Sequence, residues 1–119
     1  MAVSKIENAN KVVDISDNIV LNSSLYESGS VYAHRSGNLI IVRIVNCKVK
    51  QSGTNMVLAT GLPVPVGETT RGFGYYSGFP TGATPSADNR YSAYVQNGSL
   101  YVNVGSDKPT MFMTIPYFA

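Results

Sequence analysis

The sequence predicts an all-β fold, an antiparallel β-sandwich or jelly roll of about seven to nine short strands. Three observations carry that expectation. From Ser30 to Ala119, apolar β-branched stretches are cut by Gly, Pro and Asn so often that no helix has room to form. The turn signals recur roughly every 8–12 residues, the spacing of sandwiches and jelly rolls. The chain has 119 residues, 44% of them hydrophobic and 13% charged, which is enough apolar material for one two-layer core. A single β-sandwich domain over 1–119 follows, with 1–10 as a polar lead-in.

Lys11 to Ile15 and Asn18 to Leu21 are short strand candidates separated by Ser16-Asp17. Asn22 to Gly29 is rich in turn residues. Ser30 to Arg35 reads as a strand, closed by the turn signal Ser36-Gly37-Asn38. Leu39 to Lys50 is the longest strand. One of its phases holds Leu39, Ile41, Arg43, Val45, Cys47 and Val49, and the other Ile40, Val42, Ile44, Asn46, Lys48 and Lys50. Both faces of its first half are therefore apolar, whereas a half-exposed antiparallel strand should alternate. One face can line the core. The other needs a cover, from this chain or from another subunit, so Ile40, Val42, Arg43 and Ile44 are the expected subunit contact. Arg43 requires an acidic partner or an exit to water.

Gln51 to Asn55 reads as a turn and Met56 to Thr60 as a strand. Pro63 and Pro65 forbid a central strand and favour an extended loop. Arg71 to Ser77 is a strand candidate with two glycines, and Gly78 to Asn89, with Pro80, Gly82 and Pro85, a long loop. Tyr91 to Val104 is the clearest hairpin. Asn97-Gly98 is a type I′ signal. That turn pairs Gln96 with Ser99 and, five rungs on, Tyr91 with Val104. Tyr91, Ala93, Val95, Leu100, Val102 and Val104 then face the core, while Ser92, Tyr94, Gln96, Ser99, Tyr101 and Asn103 face out. A one-residue slip would mix the two sets, so the register is well specified. Met111 to Ala119 closes the chain as a strand, which anchors the terminus.

The composition narrows the function. A net charge of +2 is too small to argue for nucleic acid or a membrane surface. No apolar run approaches the ~20 residues that span a bilayer. Residues 1–8 lack the apolar centre of an export signal. The two Asn-x-Ser sequons, at Asn22 and Asn97, then read as accidental. Cys47 is the one cysteine and reads as a small buried hydrophobe. His34 is the one histidine, so no metal or cofactor is expected. No nucleophile elbow or phosphate loop occurs, and no enzymatic activity is expected. Ser, Thr, Asn and Gly replace the missing charge and give a surface of hydroxyls and amides, as in proteins that bind sugars or work outside a cell.

Arg71-Gly72-Phe73-Gly74-Tyr75-Tyr76 resembles the aromatic RNA-binding strand of the RRM fold. It departs from that motif at Tyr76 and Gly78 and lacks the helices and second motif the fold needs. Tyr75, Tyr76, Tyr94 and Tyr101 combine a flat apolar face with a hydroxyl, the chemistry that suits a sugar ring. Asp88, Asn89 and Arg90 add hydrogen-bonding groups beside them. These seven residues form the expected saccharide-binding patch. The competing reading makes Tyr94 and Tyr101 a cross-strand pair that only stabilises the sheet.

Several segments together resemble the C-terminal head domains of bacteriophage tail fibre and receptor-binding proteins. They are the lead Lys5-Ile6-Glu7-Asn8-Ala9-Asn10-Lys11-Val12-Val13-Asp14, then Arg35-Ser36-Gly37-Asn38-Leu39-Ile40-Ile41-Val42, then Leu58-Ala59-Thr60-Gly61-Leu62-Pro63. The hairpin Asn97-Gly98-Ser99-Leu100-Tyr101-Val102 and the ending Pro116-Tyr117-Phe118-Ala119 complete the pattern. The resemblance implies a homotrimeric sandwich or jelly-roll head that attaches to a host cell-surface saccharide and assembles with other virion or tail proteins. It implies a location in the virion, or in the producing bacterium's cytoplasm before lysis. About 30 residues precede the first strong hairpin, so an isolated head, a small accessory fibre and a decoration protein all stay open. Two alternatives accompany the adhesin: a trimerising fibre tip without ligand, and a glycan depolymerase with an intersubunit carboxylate site.

Overall fold

The computed structural model describes residues 11–66, 72–74 and 87–119, with the backbone alone for 72–74 and 87. The nine strands among them are β1 (Val12–Asp14), β2 (Val20–Leu21), β3 (Tyr26–Ser36), β4 (Leu39–Val49), β5 (Gly53–Thr60), β6 (Gly72–Gly74), β7 (Tyr91–Gln96), β8 (Ser99–Val104) and β9 (Met111–Phe118). Two single-turn 3-10 segments, Ser16–Asn18 and Ala87–Asn89, are the only helical pieces in the described residues. One sheet has the order β1-β3-β4-β9 and the other β2-β5-β8-β7-β6, and all pairings are antiparallel. This is a β-sandwich.

Each sheet sends one phase of its side chains into a shared core. β4 contributes Ile40, Val42, Ile44, Cys47 and Val49, and β9 contributes Met111, Met113, Ile115 and Tyr117. The other sheet answers with Leu58 and Ala59 of β5, alternate residues of β7 and β8, and Leu62 from the loop that follows β5. The β7–β8 hairpin has the expected register, from Gln96↔Ser99 to Tyr91↔Val104. Asn97 and Gly98 both have positive φ, 52° and 80°, as a type I′ turn requires.

The structure corrects the reading of β4. Its alternation is interrupted at Asn46, where φ is 51° and the pairing with both neighbours shifts. An extra residue in one strand exchanges the two faces beyond it. Ile40, Val42 and Ile44 therefore share the inner side with Cys47 and Val49, not with Lys48 and Lys50. Gly29 sits against this bulge at φ 97°; any side chain there would strike the Asn46 carbonyl and Cys47 Cα.

It follows that Ile40, Val42 and Ile44 cannot form a subunit contact. They are buried within one copy of the chain, because the five-stranded sheet already covers that phase. Arg43 is exposed on the opposite side and takes its exit to water. Two other boundaries also move. The turn expected over Asn22 to Gly29 is confined to its first half, and β3 begins at Tyr26. β5 begins at Gly53, taking in residues read as a turn, with Asn55 at φ 50°. Of the strand expected over Arg71 to Ser77, only Gly72–Gly74 lies within the described residues.

Candidate functional site

The outward phase of β7 and β8 carries Ser92, Tyr94, Gln96, Ser99, Tyr101 and Asn103, all half-buried. Tyr94 and Tyr101 are directly opposed, and their rings stack with centroids 4.9 Å apart and planes 12° from parallel. Two rungs away, Ser92 faces Asn103, and the Asn103 Nδ2 donates to Ser92 Oγ at 3.0 Å. The bulge at Asn55 ties β5 to both. Its backbone N–H donates to Asn103 Oδ1 at 2.8 Å, and its Oδ1 accepts from the Tyr94 hydroxyl at 2.9 Å. Tyr94, Asn55, Asn103 and Ser92 thus form one hydrogen-bonded chain across three strands. Such a network fixes its side chains before any ligand arrives. The Asn103 amide and the Ser92 hydroxyl each retain a further hydrogen to donate.

This network borders a cleft of about 280 Å³. Thr54, Arg90, Ser92 and Asn103 are its polar lining, and Tyr91 and Val104 its apolar lining. The volume lies at the small end for a ligand site and suits one sugar residue. The stacked tyrosines are two residues further along the same strands, about 7 Å away. Arg90 is held by its backbone, its carbonyl accepting from Gly105 N–H at 2.8 Å, and its side chain is exposed at the cleft.

The expected patch is therefore divided. Arg90, Tyr94 and Tyr101 fall on one continuous surface. Asp88 is exposed but engaged, accepting from Ser106 Oγ at 2.6 Å. Asn89 is 6% exposed, so its amide is buried in the fold and not presented at the surface, a correction to its expected role. Tyr75 and Tyr76 lie outside the described residues. Thr54, Asn55, Ser92 and Asn103 were not anticipated as site residues. The hairpin register alone would have placed Ser92 and Asn103 beside the tyrosine pair; nothing local in sequence reveals Asn55.

The outer face of the four-stranded sheet differs in kind. Leu39, Ile41 and Val45 are half-buried there, around exposed Arg43. Register sets Tyr32 and Thr114 on either side of Arg43, Pro116 beside Ile41 and Phe118 beside Leu39. Phe112 and Phe118 are 54% and 62% exposed. Val12 at the sheet edge is exposed as well.

Two thiol and phenol groups report on the core. Burial pushes the Cys47 thiol up to about 11 and the Tyr117 hydroxyl up to about 12. Cys47 is free and buried, and the Tyr117 hydroxyl donates to the Pro63 carbonyl at 2.8 Å. Asp14, at the surface, is held below the usual carboxylate range by hydrogen bonds from the Ser16 hydroxyl and N–H. Among the described residues, no cluster of His, Cys, Asp and Glu could hold a metal ion.

No protein-family model, curated protein or solved structure matches the chain. The fold is a two-sheet antiparallel sandwich.

Proposed function

We propose that this protein is a non-enzymatic attachment module that binds a bacterial host's surface saccharide as a homotrimer, in the manner of a phage tail-fibre head. One observation carries the binding half: a stacked tyrosine pair lies on the same outer sheet face as a cleft lined by Ser92, Asn103 and the Arg90 guanidinium, two residues along the same strands. Tyrosine faces bind the apolar side of a sugar ring, and the fixed amides and hydroxyls bind its polar edge. The assembly half is supported by the apolar outer face of the four-stranded sheet. Monomeric proteins rarely leave such a contiguous face to water. The phage setting rests on the segments that resemble receptor-binding heads. It carries with it assembly with other virion or tail proteins and a location in the particle.

The test is retention of the protein on immobilised bacterial surface polysaccharides, competed by the same polymers in solution. Retention should fall about tenfold in Tyr101→Ala, which removes the outer aromatic surface that a sugar ring would cover. Full retention in that variant would remove the tyrosine pair from the site.

A second reading, a trimerising fibre tip without ligand, has its own support. Tyr94 already spends its hydroxyl on Asn55 and its ring on Tyr101, as a purely structural cross-strand pair would. A clean trimer that binds no polysaccharide would favour it. The depolymerase alternative has less behind it, because no carboxylate is among the described residues lining the cleft and Asp88 is engaged by Ser106. Release of reducing ends from host polysaccharide, abolished by Asp88→Asn, would establish it.

A further inference from the structure

We propose that the cleft is specific for a saccharide bearing a carboxylate, with Arg90 as the residue that reads the charge; this rests on the saccharide-binding function argued above. Arg90 is the one charged residue among the described residues that line the cleft. The nearest acidic side chain in sequence, Asp88, is turned to Ser106. Lys108, whose N–H donates to the Gly105 carbonyl, and Lys50, whose carbonyl accepts from Lys108 Nζ, lie at the same end of the sandwich and offset the carboxylates of Asp88 and Asp107, which are joined there by the Asp107 N–H to Asp88 carbonyl bond.

A planar guanidinium presents paired N–H donors that match the two oxygens of a carboxylate, and it does so better than a point-like ammonium. A neutral hexose offers it only hydroxyls. The rest of the lining suits the remainder of such a sugar. Ser92, Thr54 and the second hydrogen of the Asn103 amide can bond its ring hydroxyls, and Tyr91 and Val104 border its apolar side. The ring next along the polymer would reach Tyr101.

The experiment uses three sets of bacterial capsular polysaccharides: carboxylated polymers, the same polymers after chemical reduction of each carboxyl to a primary alcohol, and phosphodiester polymers. The expected result is binding of a carboxylated polymer, weakened about tenfold by reduction. In Arg90→Gln the parent and reduced polymers should bind alike, while Arg90→Lys keeps part of the preference. Arg90 supports the fold through its carbonyl alone, so both variants should melt as the parent does. Equal binding of parent and reduced polymers would overturn the carboxylate specificity and leave saccharide binding standing. Binding of phosphodiester polymers alone would overturn it too. Failure of every polysaccharide to bind would overturn both.

Discussion

The two sheets use the same alternating pattern to opposite ends. Each buries one phase in the common core, yet their outer phases share almost no chemistry. The outer side of the five-stranded sheet bears hydroxyls, amides and two tyrosines, bound to one another through Asn55 and Asn103. That of the four-stranded sheet carries Leu39, Ile41, Val45, Phe112, Pro116 and Phe118 around a single exposed arginine. The first is a surface that can exchange hydrogen bonds with water or a sugar at little cost. The apolar residues of the second gain by leaving water, at roughly 25 cal/mol for each Å² covered, against the cost of desolvating Arg43, Thr114 and His34 on the same face. On the function proposed above, recognition and assembly occupy opposite layers of the sandwich.

The comparison breaks most sharply at the bulge that sorts β4. Gly29→Ala forces an alanine into positive φ and against the Asn46 and Cys47 backbone. It should cost about 3 kcal/mol, from the left-handed penalty plus overpacking against atoms that cannot swing away. Urea unfolding would show this as a lower midpoint, and an unchanged midpoint would mean the bulge is not needed to sort the faces.

The apolar layer can be tested without touching the core. Phe112→Glu combined with Phe118→Glu should weaken self-association about a hundredfold, as for paired apolar anchors in an interface. Sedimentation would record it. Tyr101→Ala should leave the mass unchanged. If the tyrosine variant dissociated and the phenylalanine pair did not, the roles of the two layers would be exchanged.

The buried layer between them should respond to alkali. Both Cys47 and Tyr117 have folded-state pKa values raised above their ordinary 9.0 and 10.0. A raised value means the unfolded chain loses its proton first. The associated stability is whole below pH 9 and declines as pH rises through about 11 and 12. Cys47 alone should account for on the order of 2 kcal/mol of that decline. Cys47→Ala, less stable throughout, should show a shallower fall in melting temperature over the window up to pH 11. The smallest expected effect is Tyr101→Ala on stability, about 1 kcal/mol for the lost ring pair.

Much of this arrangement is legible in sequence, but only where the signals are local. The β7–β8 hairpin could be paired rung by rung because Asn97-Gly98 fixes the turn and the two-residue period does the rest. The phase of β4 was readable only as far as Val45. What happens at Asn46 depends on Gly29, seventeen residues earlier, and no window along the strand contains both. Asn55 was hidden for the same reason: an asparagine at positive φ reads as a turn, and only the pairing of β5 with β8 makes it a bulge. Asn89 looked like a surface amide because its neighbours are turn residues, and its burial comes from tertiary packing. The doubly apolar strand did announce an unpaired face. It could not say which one the chain itself would cover.

The most direct test is the mass of the intact protein in solution, measured by sedimentation equilibrium across a wide range of concentrations. A species of three times the 12.8 kDa chain mass is the predicted result. A single 12.8 kDa species persisting to the highest concentration the protein tolerates would contradict it, and would leave the phenylalanine-rich layer facing water with no role in assembly.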